Sequence, residues 1–323
     1  MLSTSIHHDS VSIGKYFNLS FQRTLRIPDD GKTYPLPPGL GRFPVRRVTD
    51  YQTRLPQKIV EIGGVFLPIY QREALWLSFD GHSWHPVALK VGVGKINAIT
   101  GKPWSENLEK PQDYVVIPEQ PWLDGINAGK GMIRQFVAMP LGLGYTIEEQ
   151  LTSKAEFGGI QLKLFEPKPG RFPNEGPTSR YFYECCIQEP SFCSSGIAPG
   201  GRMKQKIYPD KYGIKTWDQN VTGRLFVHLL DPRYYAQVTG ESLPSTPVDA
   251  HTYSKYGMPW FDLYDEDQGD LLPSSILQKV SSVSELEGHK RSSVNPPEVT
   301  IDIAGQQILK LHLEPESVKD GKW

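Results

Sequence analysis

The chain has few cysteines, no long apolar run and no excess of charge of either sign. Each absence excludes something. Among 323 residues there are three cysteines, Cys185, Cys186 and Cys193. An odd number with two neighbours adjacent does not spell a disulfide framework, although a Cys186–Cys193 bridge across a hairpin stays open. The simpler expectation is reduced, buried thiols. No stretch approaches 18 consecutive apolar residues, so no transmembrane helix is expected. The first 21 residues lack a basic segment followed by an apolar one, so no signal peptide is expected. A cytoplasmic location follows as the default, with export by a route needing no cleaved signal left open.

Thirty-five Lys and Arg face 36 Asp and Glu, for a formal net charge of −1. Nucleic acid is therefore not the expected partner, because phosphate binding needs a positive excess or a basic stripe. The clearest basic run, Arg202-Met203-Lys204-Gln205-Lys206, alternates with uncharged residues and reads as the solvent face of a strand.

What is present is aromatic, proline and glycine residue in quantity: 11% aromatics, 28 prolines and 30 glycines, spread through the chain. That is the composition of many short elements joined by tight turns. Strand-like segments dominate, among them KIVEI (58–62), GVFLPIY, EALWLSF, PVALKVGV, DYVVIP, GMIRQFVAMPL, GIQLKLFEP, RMKQKIYP and RLFVHLLD. Gly63-Gly64 reads as a hairpin turn between the first two. EVTIDIAGQQILKLHLEP (298–315) reads as a terminal hairpin. Helices are few. Thr146 to Glu149 is a capping box. Asp231-Pro232 followed by Gly240 brackets a two-turn helix. Residues 274–287 form a third candidate.

The expected fold is mainly β, with two packed antiparallel sheets in a sandwich or jelly-roll-like body, long Pro/Gly loops and a few short helices. The body spans 1–240. A C-terminal extension, 241–323, carries a helix and the terminal hairpin and returns to the body, unless the whole is one domain.

No diagnostic catalytic motif is found. Gly94-Lys95 and Gly129-Lys130 lack the upstream glycine and the following Ser or Thr of a phosphate loop, and Gly92-Val-Gly94 lacks the third glycine of a dinucleotide fingerprint. His82 and His85, with Asp80, have a spacing that can share a metal ion on a turn. In PWFDLYDEDQGD (259–270), Asp262, Asp265 and Asp267 offer hard oxygens to Ca²⁺ or another divalent cation. Read as a helix, Asp262, Asp265 and Glu266 share one face. The more ordinary reading is a solvated segment anchored by Trp260 and Phe261. Cys193 in a glycine-rich turn is a candidate nucleophile, with His228 or His251 as base. Asp124, Asp262 and Asp265 are candidate catalytic carboxylates, with His85 or His228 as a base. Trp122, Asp124 and Asn127 could form a sugar platform, and Trp84, Trp104 and Trp217 occupy similar turns.

Two functions follow. The first is a non-enzymatic structural, self-assembling or binding protein acting through surface contacts, with itself as the expected partner and no bound cofactor. The alternative is a hydrolase or carbohydrate-active protein or lectin, with a glycan as partner.

Overall fold

A computed structural model describes residues 1–176, 194–263, 269–289 and 300–311. The protein is mainly β: one large, predominantly antiparallel sheet of 17 strands, not closed into a barrel, a small parallel pair and a few short helices.

The sheet grows from strands whose alternation is plain in the sequence. Phe17–Thr24 buries Phe17, Leu19 and Phe21 on one face, and Ala74–Gly81 buries Leu75, Leu77 and Phe79. The two pair along their whole length, from Phe17 opposite Gly81 to Thr24 opposite Ala74. Ala74–Gly81 then passes to Met132–Pro140, and that strand to Ser194–Lys204. At its start, Ser194 and Ser195 meet Leu230 and Leu229 of the 14-residue strand Trp217–Leu230. That strand leads on through Ile160–Pro167 to Val87–Val93 and Val115–Ile117. The main apolar cluster draws on both flanks: Leu19, Phe21 and Leu77 from one, Leu89, Leu162 and Val227 from the other. A second cluster of Ala88, Leu108, Tyr114, Val116, Phe165 and Trp217 covers the opposite face of Val87–Val93. Every residue of that strand is consequently buried, Lys90 included.

Two helices form where local signals placed them. Thr146 and Glu149 exchange the side-chain-to-backbone bonds of a capping box ahead of Ile147–Thr152. Asp231 caps Pro232–Thr239, which ends at Gly240 in the left-handed region with φ 78°. In the 274–287 region, a short 3-10 turn at Leu277–Lys279 precedes the helix Val283–His289.

Three expectations are corrected. KIVEI is helix, within Gln57–Ile62, entered from Pro56 and closed by Gly63. Its β-branched residues favour strand, but proline at the entry and glycine at the exit punctuate a helix, and Ile59 packs that turn against Phe66 and Tyr235. Gly63-Gly64 is accordingly no hairpin: Val65–Pro68 runs parallel to Val227–Leu230. A side chain on Gly64 would meet the Phe226 carbonyl oxygen at 2.2 Å, which is why glycine stands there. The terminal hairpin is absent from the described part of 298–315. Gly305–Gln307 is a 3-10 turn, and Ile308–Leu311 pairs parallel with Trp260–Leu263. The latter offers an edge already fixed: its other side exchanges two hydrogen bonds with Leu36, and Trp260 is fully buried. That strand also replaces the helical reading at Asp262, while Asp265 and Glu266 lie outside the described residues.

The extension is bonded to the body at several points. Arg23 donates to Ser245, Arg72 to Glu287, and Arg134 to the Val280 carbonyl and to Glu285. Among the described residues, no helix is long and apolar enough to cross a membrane.

Candidate functional site

Cys185, Cys186, Cys193, Asp265 and Asp267 lie outside the described residues. The remaining candidates are dispersed. Asp262 is half-buried and accepts from Lys204 Nζ at 3.1 Å. Asp124 is buried and bonded to Gln205 Nε2 at 2.9 Å. Lys204 and Gln205 are consecutive, one exposed and one buried. Side chains alternate along extended backbone, so the two carboxylates approach this segment from opposite sides.

Burial pushes the Asp124 carboxyl up to about 7, against hydrogen bonds from Trp122 and Gln205 that favour ionisation. Trp122 and Asp124 thus do come together. Asn127, the third member of that platform, donates to the Leu272 carbonyl at 3.1 Å. His228 is held in the sheet with Nε2 2.9 Å from the Gly63 carbonyl oxygen, and burial lowers it to about 4. It is therefore a neutral imidazole at pH 7. His82 stacks on Trp84 at 4.9 Å, whereas His85 lies over Tyr16 at 3.8 Å with Nδ1 on the Pro173 carbonyl oxygen. Asp80 accepts from Asn18. Among the described residues, no three His, Cys, Asp or Glu gather as a metal site.

A concave surface lies elsewhere. It is a cleft of about 490 Å³ bordered by Lys95, Trp104, Glu106, Glu148, Lys154 and Phe157. Its rigidity starts on the strand Val87–Val93. Gly92 leaves the space that Trp104 occupies: a side chain at Gly92 would meet the indole at 2.7 Å. Backbone bonds fix the Trp104 turn, with Trp104 N donating to the Lys95 carbonyl at 2.8 Å and Asn97 N to that of Lys102 at 2.9 Å. The indole N–H donates to Glu106 at 3.1 Å.

Two lysines directly opposite one another, Lys90 and Lys163, pin the same loop from below. Lys90, 1% exposed, binds Asp113 at 2.7 Å and donates to Ser105 Oγ and the Asn107 carbonyl at 2.6 Å each. Burial pushes the Asp113 carboxyl up, while the Glu109 amide and Lys90 pull it back toward the ionised form. Lys163 donates to the Glu106 carbonyl at 2.7 Å and to its carboxylate at 3.0 Å. The bond from Lys163 holds the Glu106 carboxyl below its usual range.

The opposite wall hangs on Glu148. This buried carboxylate accepts from the backbone N–H groups of Glu156, Phe157 and Gly158 at 2.7–2.9 Å. Phe157, 39% exposed, thereby stands across from Trp104. Lys95 Nζ lies between them, 5.9 Å from the indole and 5.8 Å from the phenyl ring. The cleft therefore pairs aromatic faces with charged side chains of both signs.

Sequence reasoning passed over most of this. Trp104 was only one of several turn tryptophans, and the Gly92-Val-Gly94 run was weighed as a dinucleotide fingerprint. The usable signal was glycine inside a strand-like run, which marks close approach of another group. Gly92 is approached by Trp104, and Gly94, with φ 56°, by Glu148. Comparison with family models, with curated proteins and with solved structures found no match.

Proposed function

We propose that this chain is a non-enzymatic binding protein that takes a neutral saccharide in the cleft between Trp104 and Phe157. The two flanks of the sheet act as a sandwich-like support, a reading favoured by the shared apolar cluster between them. The observation that carries the proposal is the fixed indole. Trp104 is half-buried against Gly92, tied through its N–H to Glu106, and backed by the bonded Lys90 and Lys163. A rigid, partly exposed aromatic face suits the apolar face of a pyranose and loses little entropy on binding. Lys95, Lys154, Glu106 and Glu156 border the cleft with donors and acceptors for hydroxyl groups. Two lysines and, with Glu148, three acids border the cleft, and such a mixture of signs favours a polyol over an anion. The volume falls within the range of small-ligand sites.

The carboxylates give less support to hydrolysis. Asp124 and Asp262 are reached from opposite sides of one segment, and His228 is a neutral sheet residue.

The test is a glycan array followed by calorimetry on the full chain and on Trp104→Ala. The expected result is saturable binding of at least one neutral saccharide, weakened at least about tenfold in the variant, as loss of an aromatic contact worth about 1.4 kcal/mol or more requires. No saccharide binding, or equal binding by Trp104→Ala, would contradict the proposal.

A further inference from the structure

A second cleft, of about 460 Å³, opens on the face of the sheet where Met132–Pro140 pairs with Ser194–Lys204. Among the described residues its border includes Lys130, Arg134 and Arg202 and no acidic residue. Arg134 and Arg202 are directly opposite in the register and therefore point to the same face. Like charges in that position repel unless something neutralises them.

For Arg134 the extension supplies part of the answer. Its Nη1 donates to the Val280 carbonyl at 2.7 Å, and the Glu285 carboxylate stands 3.4 Å from both terminal nitrogens. For Arg202 nothing does: no hydrogen bond or ion pair joins its guanidinium to any described residue. Lys130, exposed at the mouth of the cleft, is in the same condition. Three acids among the described residues have other partners. Asp270 accepts from the Gly131 and Ile207 amides, Asp262 from Lys204, and Glu285 from the Ser282 amide as well as Arg134.

The rest of the lining is mostly apolar, with Met132, Ile133 and Pro273 prominent and Gln278 the one uncharged polar side chain. A half-buried guanidinium with its donors unfilled, a second guanidinium beside it and an apolar floor make up one recognition unit. We infer that this cleft binds a small organic oxyanion. Arg202 engages its phosphate or carboxylate head, Lys130 adds charge at the mouth, and the apolar floor takes its body. This site is separate from the Trp104 cleft and does not depend on the saccharide reading.

The test is calorimetric titration of the full chain, at constant ionic strength, with phenyl phosphate, benzoate and inorganic phosphate. The expected result is saturable binding of phenyl phosphate or benzoate, with inorganic phosphate at least about fivefold weaker because it leaves the floor empty. A stronger response to phenyl phosphate assigns a phosphate head, and a stronger response to benzoate a carboxylate head. Arg202→Gln lowers the affinity at least about tenfold while the circular dichroism spectrum is unchanged. Arg202→Lys, which keeps the charge and loses the fork, falls between, and Trp104→Ala binds as the wild type does. The inference is overturned if none of the three anions binds saturably, if inorganic phosphate binds as well as phenyl phosphate, or if Arg202→Gln binds like the wild type. Should Arg202→Gln fail to fold, Lys130→Ala serves as the second variant. It is expected to weaken binding about threefold, and wild-type affinity would count against the site.

Discussion

Two cation pairs placed directly across neighbouring strands, Lys90–Lys163 and Arg134–Arg202, are treated differently. Lys90 and Lys163 lie under the 100–113 loop, which delivers an acid to each, Asp113 and Glu106, and further acceptors. An ammonium has three donors, and for Lys90 all three are matched by Asp113, Ser105 and Asn107. Arg134 and Arg202 lie under the C-terminal extension, whose described residues bond Arg134 and make no bond to Arg202. The lesson concerns the use of charge in a sheet. A like-charged cross-strand pair becomes a fastener when a covering loop supplies its counter-charges. The same pair left half-covered keeps its donors free for something from outside. The first pair holds up the wall of the Trp104 cleft, and the second lines a cleft itself.

The largest effect expected from breaking this contrast is at Asp113. Asp113→Asn keeps the shape and leaves Lys90 charged with almost no exposure, which costs about 3–5 kcal/mol for a buried pair broken on one side. Urea denaturation at neutral pH measures it, and a loss under about 1 kcal/mol would show that Lys90 needs no counter-ion.

Asp124 sharpens the contrast from the other side, since no cation offsets its burial. Its folded-state value of about 7 exceeds the ordinary carboxyl value of 3.8, so the folded protein binds more protons between those limits. Its contribution is present in full below about pH 4 and is lost as pH rises through about 7. His228 has the opposite sign: its folded value is about 4 against 6.5, so its contribution is full above pH 6.5 and is lost as pH falls toward 4. The two slopes oppose each other over most of this window. Asp124→Asn removes one of them. Relative to the wild type the variant is expected to gain up to about 4 kcal/mol between pH 4 and pH 8, three units at about 1.4 kcal/mol each. Parallel stability curves for the two proteins would refute the shifted carboxyl.

The smallest effect is at Glu106, whose side chain is 57% exposed. Glu106→Gln is expected to cost under about 1 kcal/mol, because an exposed ion pair is screened by water. The same denaturation series reports it, and a cost matching that of Asp113→Asn would erase the distinction between covered and open partners.

What could be read from the chain was local. The capping box at Thr146, the Asp231-Pro232 to Gly240 helix and the Trp260-Phe261 anchor depend on residues a few positions apart, and all three appear. The strand character of most apolar runs was legible for the same reason. What escaped was set by distant partners. The parallel pairing of Val65–Pro68 with Val227–Leu230, and of Trp260–Leu263 with Ile308–Leu311, leaves no mark on either segment. Gln57–Ile62 was misread because β-branched residues outweighed the proline and glycine at its ends. The Arg134–Arg202 opposition depends on register between strands far apart in the chain, so the 202–206 run looked like a plain solvent face.

The most direct measurement is a double-mutant cycle of Arg134→Gln and Arg202→Gln, followed by urea denaturation at low ionic strength without added phosphate. If Arg202 is an uncompensated charge facing Arg134, Arg202→Gln stabilises the wild type by a few tenths of a kcal/mol, and the gain vanishes in the Arg134→Gln background. A loss of more than about 1 kcal/mol in both backgrounds would mean that Arg202 has a structural partner, and the open half of the comparison would be wrong.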